Sequence, residues 1–100
     1  MELEQIRIFC AVASCRSFSE AARRLYVSHS TTCRAVAALE AELGVRLLER
    51  TKVFVRLTPA GELLQREGAR LLDEADALRR RLAALDGVAD DEPNRKETEI

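Results

Sequence analysis

Apolar residues never run long enough in this sequence to cross a bilayer. The longest uncharged apolar stretch, Ile8 to Ser14, is far short of the ~18–20 residues a span needs. Met1-Glu-Leu-Glu offers no basic lead-in for export, so a cytoplasmic protein without membrane attachment is expected. Glycine occurs only four times and forms no phosphate-cradling loop. Histidine occurs once, at His29, with no acid partner placed by a local motif. Three cysteines, Cys10, Cys15 and Cys33, match no zinc spacing, and a four-ligand site would have to recruit carboxylates. Reduced, packed thiols are the expectation, with no metal, no cofactor and no enzyme activity. The 100 residues leave room for one small domain and an appendage, which excludes a two-domain enzyme.

What is present is a division of charge. The net charge of −1 argues on its face against nucleic acid. However, Met1 to Thr58 carries nine Lys or Arg against six Glu, while Pro59 to Ile100 carries seven against eleven acidic residues. A basic half and an acidic half imply different tasks.

Periodicity predicts a helical fold. Ile6, Phe9, Val12 and Ala13 mark a first amphipathic helix ending near Ser14 to Arg16. Ser17 with Glu20 forms a reciprocal capping pattern for a second helix to about Leu25, burying Phe18, Ala21, Ala22 and Leu25. Ser28 caps a third, which Gly44 closes and which buries Thr32, Val36, Leu39 and Leu43 on one stripe. Arg46 to Glu49 and Val53 to Leu57 read as a two-strand hairpin. Thr58-Pro59 then opens a last helix reaching about Asp86, roughly 40 Å long. The expected organisation is a domain over 1–58, a linker helix over 59–86 and a loose charged tail over 87–100.

The last helix repeats leucine every seventh place, at Leu64, Leu71, Leu78 and Leu85. Gly61, Gly68, Ala75 and Leu82 form a companion row, and together these make a helix-pairing seam. A helix this long exceeds what a 58-residue domain can cover, so pairing between chains is favoured over packing on its own core. Parallel pairing would bring Glu74 near Arg79 and Arg81 near Asp86; antiparallel pairing would match Glu67 with Arg81. Exposed charge pairs lean slightly to parallel, each being worth less than ~1 kcal/mol.

Ser17-Phe-Ser-Glu-Ala-Ala-Arg-Arg-Leu-Tyr-Val-Ser28, Arg34, Leu39-Glu40, Glu42-Leu-Gly-Val-Arg-Leu-Leu-Glu-Arg-Thr51 and Arg56-Leu-Thr-Pro-Ala-Gly61 together resemble the LysR-type transcriptional regulators over about residues 2 to 86. The resemblance implies a mainly α fold: a winged helix-turn-helix of three helices and a two-strand wing, then a long helix that pairs antiparallel in a dimer. It also implies a large ligand-sensing domain, which these residues do not contain, so no small-molecule effector is expected here. The sequence departs from the family pattern at His29-Ser30, where Gln-Pro is frequent, and at Cys33, where serine is. Thr32 stands where an aliphatic residue is usual, Leu48 replaces a frequent phenylalanine, and Val53-Phe54 makes the wing tip apolar.

Such a module would lay its third helix in the major groove. His29, Ser30 and Thr31 are short enough to approach base edges, though some of them could simply cap the helix or face water. Cys33 reads as a compact spacer or a redox-sensitive contact, and Arg34 as a partner for phosphate or guanine. Ser17 and Ser28 start helices whose free N–H groups suit phosphate. Arg50, Lys52 and Arg56 form either a solvated hairpin face or a wing on phosphates or a minor groove. Arg23 and Arg24 are surface residues, one within range of a phosphate. The expected partner is double-stranded DNA with an interrupted inverted repeat, bound by a homodimer paired through 59–86. Alternatives are a protein-interaction module built on the long helix, or a short chain forming mixed dimers with a longer regulator.

Overall fold

The computed structural model describes residues 1–51 and 54–85. Three helices, α1 (Leu3–Cys15), α2 (Phe18–Leu25) and α3 (His29–Leu43), lead into an antiparallel pair, β1 (Leu48–Arg50) and β2 (Val55–Leu57), and a final helix, α4 (Pro59–Leu85). Asp86, the 87–100 tail, Lys52 and Val53 lie outside the described residues.

Local chemistry sets the helix ends. The Glu2 N–H at the start of α1 donates to Gln5 Oε1 at 3.0 Å, and Arg16 ends the helix in the left-handed region with its N–H on Val12 O at 2.7 Å. Ser17 Oγ accepts from the Glu20 N–H at 3.0 Å and starts α2. The reciprocal half of that cap does not form, because the Glu20 carboxylate takes Arg23 at 2.7 Å instead. Gly44, at φ 71°, closes α3 and donates to Glu40 O at 2.9 Å. Thr58 Oγ1 accepts from the Gly61 N–H at 3.0 Å, so it caps α4.

The core joins α1, α2, α3 and the wing root around Phe9, Val12, Leu39 and Leu47. Thr32 is fully buried; its Oγ1 donates to Ser28 O at 3.0 Å, which satisfies the hydroxyl and leaves the methyl to pack. Two expected core positions differ. Leu25 is half-buried, and Leu43 is 40% exposed because the last turn of α3 runs past the core. The strands are also shorter than the alternation suggests, pairing Leu48 with Leu57 and Arg50 with Val55.

The carboxylate of Glu40, rather than a strand ladder, holds the entry to β1. Its Oε2 accepts the Leu47 and Leu48 N–H groups at 2.8 and 3.2 Å. Arg46 Nε approaches the same oxygen at 3.7 Å. Charge-assisted bonds to backbone N–H groups are stronger than neutral ones, and an unmet buried N–H is costly. Glu40→Ala should therefore lower stability by about 1–3 kcal/mol in urea unfolding at an unchanged denaturant slope. A change below about 0.5 kcal/mol would show that water replaces the carboxylate freely.

The first half of α4 lies on the domain and the second half projects away. Gly61, Gly68 and Leu72 are buried, whereas Leu71, Leu78, Leu82 and Leu85 are 43, 53, 56 and 79% exposed. Gly61 and Gly68 thus face their own domain, and not a partner helix as the heptad pattern suggests. An added Cβ at Gly61 would lie 2.1 Å from Leu47 O, and one at Gly68 would lie 2.8 Å from Ile6 Cγ2. Ala75 and Leu64 are half-buried. Burial raises the thiol pKa of neighbouring Cys10, with Arg7 opposing, which suits a packed neutral group. No described helix is long and apolar enough to cross a membrane.

Candidate nucleic-acid interface

The start of α3 is a polar, exposed corner of the domain. Ser28 Oγ accepts the Thr31 N–H at 2.9 Å and donates to Thr31 Oγ1 at 2.9 Å, so the two hydroxyls hold each other and the first turn. His29, Ser30 and Arg34 are exposed, while Thr31 and Cys33 are half-buried beside them. No acidic residue occupies the first turn of α3. The helix N-terminus and its free N–H groups therefore meet solvent without a competing carboxylate, an environment that suits an anion.

The arginines divide by their commitments. Arg23 is paired with Glu20, Arg46 approaches Glu40, and Arg56 Nη2 donates to Glu49 at 3.2 Å. Arg34 has no hydrogen bond or ion pair among the described residues, so its five N–H donors are available to an external anion or base edge. Arg50 is not held out on the hairpin. Its Cζ lies 3.9 Å from the Phe18 ring centroid and its Nη2 donates to Cys33 Sγ at 3.8 Å, which folds the wing root onto α2 and α3. The Arg56 guanidinium also approaches Phe54, Cζ to centroid 5.8 Å.

The geometry brings His29, Ser30, Thr31, Cys33 and Arg34 onto one corner, with Arg50 adjoining through Cys33. Ser17 is half-buried at the start of α2 with its hydroxyl used as a cap. Arg56 lies on β2, and Lys52 is outside the described residues. Sequence reasoning missed two supports: Phe18 as the platform for Arg50, and Glu40 as the clamp on Leu47 and Leu48. Neither has a local signal, since each acts on residues seven or more positions away. Among the described residues no group of three His, Cys, Asp or Glu is placed to hold a metal, and all three cysteines are free thiols.

Comparison with known proteins agrees with this arrangement. The model of the bacterial regulatory helix-turn-helix proteins of the lysR family matches residues 3–62. An uncharacterised helix-turn-helix transcriptional regulator from the ibpB–leuC intergenic region of Azotobacter vinelandii is 41% identical over 87 residues, covering 87% of this chain and 60% of that protein. The regulator ClcR of Pseudomonas putida is 43% identical over 84 residues, covering 84% of this chain and 29% of its own length. The chain thus spans less than two thirds of the length of these relatives. Among solved structures, the CbnR DNA-binding domain in complex with DNA superposes with a TM-score of 0.81 at 40% identity, covering 85% of this chain and 98% of that one. The BenM DNA-binding domain with catB site 1 DNA gives 0.82 at 34% identity, covering 85% and 94%. With its three helices, two-strand wing and long following helix, the chain belongs to the LysR family of bacterial regulatory helix-turn-helix proteins.

Proposed function

We infer that this chain acts as a DNA-binding transcriptional regulator, binding two half-sites of an interrupted inverted repeat as a homodimer in the cytoplasm. The observation that carries the DNA reading is the uncommitted Arg34 beside exposed His29 and Ser30, at the acid-free start of a capped helix. In this reading α3 enters the major groove. Ser17 and Ser28 bring helix N-termini to phosphates, and Arg50, Lys52 and Arg56 serve the wing. CbnR and BenM domains of this fold are solved on DNA, which supports the same use here.

Pairing is supported by the exposed leucines of α4 and by an open apolar groove of about 470 Å³, lined by Met1, Leu43, Val45, Leu63, Leu64 and Leu71. In an antiparallel pair centred near Glu74, Leu78 of one copy meets Leu71 of the other and Leu85 meets Leu63 and Leu64. Such a pair would place leucines of the projecting half of one helix against the groove wall of the other, which supports the antiparallel arrangement over the weak exposed charge pairs that favour parallel. The same groove is the specific feature behind a second reading, in which α4 recruits a different protein, including a longer relative in a mixed dimer.

The test is selection of bound fragments from genomic DNA at near-physiological salt, with Arg34→Ala alongside. The unaltered chain should enrich an interrupted inverted repeat. Arg34→Ala should lose about 1–3 kcal/mol of affinity and, if the contact is to phosphate, about one unit of salt slope. Equal, unenriched recovery by both proteins would sink the DNA reading and leave the protein-interaction module standing.

A further inference from the structure

Arg50, Cys33 and His29 form a chain of contacts. The guanidinium of Arg50 rests on Phe18 and presents Nη2 to Cys33 Sγ at 3.8 Å. The same sulfur lies 3.6 Å from His29 Nδ1, one helical turn earlier on α3. The His29 ring is itself tilted 55° against Phe18, with centroids 6.4 Å apart. A guanidinium carries only donors, so the sulfur accepts on the Arg50 side. The thiol has one proton to give, and Nδ1 of His29 is placed to receive that hydrogen bond. A neutral imidazole that accepts at Nδ1 carries its proton on Nε2.

We propose that Cys33, oriented by Arg50, is a positioning residue that fixes His29 as an Nε2–H donor, and that His29 thereby selects a purine N7 at one position of each half-site. The inference rests on the DNA reading above and deepens it. In the major groove adenine and guanine present N7 and thymine presents O4 as acceptors, while cytosine presents a donor amine, so a fixed N–H donor rejects cytosine on the contacted strand, and the loss on 7-deaza substitution identifies N7 as its acceptor. Without the sulfur the imidazole exchanges tautomers and offers a donor or an acceptor, and the discrimination falls. Serine at position 33 preserves the relay, since a hydroxyl also accepts from one side and donates to the other.

His29 is the only histidine, so its imidazole nitrogens can be assigned without ambiguity. Two measurements would be made on the unaltered chain, Cys33→Ser and Cys33→Ala. The first is the imidazole tautomer by nitrogen NMR of the free protein at about pH 8. The second is affinity for a selected duplex carrying 7-deazapurine at the position whose base preference His29→Ala abolishes. The unaltered chain and Cys33→Ser should hold the Nε2–H form and lose about tenfold in affinity on 7-deaza substitution, about 1.4 kcal/mol. Cys33→Ala should show mixed tautomers and lose less than about threefold. An Nδ1–H tautomer in the unaltered chain would overturn the proposal. So would a Cys33→Ala protein that keeps both the tautomer and the full 7-deaza penalty. Failure of the unaltered chain to select any sequence would overturn the DNA reading and this proposal with it; the NMR arm contains no DNA and separates that failure from a wrong tautomer.

Discussion

A chain carrying Leu71→Lys, Leu78→Lys and Leu82→Lys should sediment as a monomer and lose affinity for a two-half-site duplex by a factor on the order of 10²–10⁴. Binding to an isolated half-site should change little. The three leucines are already 43, 53 and 56% exposed in the single chain, so lysine removes nothing from the domain core. Lysine is also close to leucine in helix propensity, and the helical circular dichroism of the single chain should survive. What is lost is the apolar area that pairing would bury, worth ~1.5–3 kcal/mol for each leucine fully covered, on both copies at once. Each helix would also bring three new positive charges into the seam. Loss of binding follows because the second half-site contact is then no longer intramolecular. Sedimentation equilibrium and fluorescence anisotropy on one- and two-site duplexes would check both halves. An unaltered dimer would show that α4 is not the pairing surface.

Gly61→Ala should destabilise the chain by about 2–3 kcal/mol, despite a gain of ~1 kcal/mol in helix propensity. The new Cβ would sit 2.1 Å from Leu47 O and 3.1 Å from Leu57 Cδ2. Leu47 O is a backbone atom that accepts the Thr58 N–H at 3.0 Å, and the Leu47 N–H is held by Glu40 at 2.8 Å. It cannot retreat without breaking the junction of β1 with α4. Gly68→Ala provides the contrast. Its Cβ would lie 2.8 Å from Ile6 Cγ2, a side-chain atom that must move with the whole buried side chain but is not pinned by backbone hydrogen bonds, so the loss there should be smaller, about 1–2 kcal/mol. Equilibrium unfolding of both variants would check this ordering. Equal stabilities would mean that α4 slides on the domain and that the contact with Leu47 is not rigid.

The helix starts were legible because each is a local contract between neighbouring residues. Ser17, Ser28 and Thr58 each accept an N–H three residues on, and Gly44 ends α3 with a positive φ that the sequence position invites. The residues assigned to the DNA-facing corner were legible for the same reason, since Ser28 to Arg34 share barely two turns of one helix. The heptad pattern was harder to interpret. It identifies two adjacent rows on α4 but not which of them meets the domain, because periodicity carries no information about what lies outside the helix. The structure turns Gly61 and Gly68 inward and leaves Leu71, Leu78, Leu82 and Leu85 outward.

The sequence by itself therefore determined the order of elements, their caps, the apolar face of α1 and the polar start of α3, all set by interactions within about four residues. Only the tertiary structure decided that Glu40 clamps the wing root, that the Arg50 side chain reaches from β1 to lie on Phe18, and that Cys33 stands between Arg50 and His29. Those contacts join residues from 7 to 32 positions apart, except His29 with Cys33 on one helix face. Such partners are chosen by how the packed helices bring distant side chains together, and no local spacing encodes that choice.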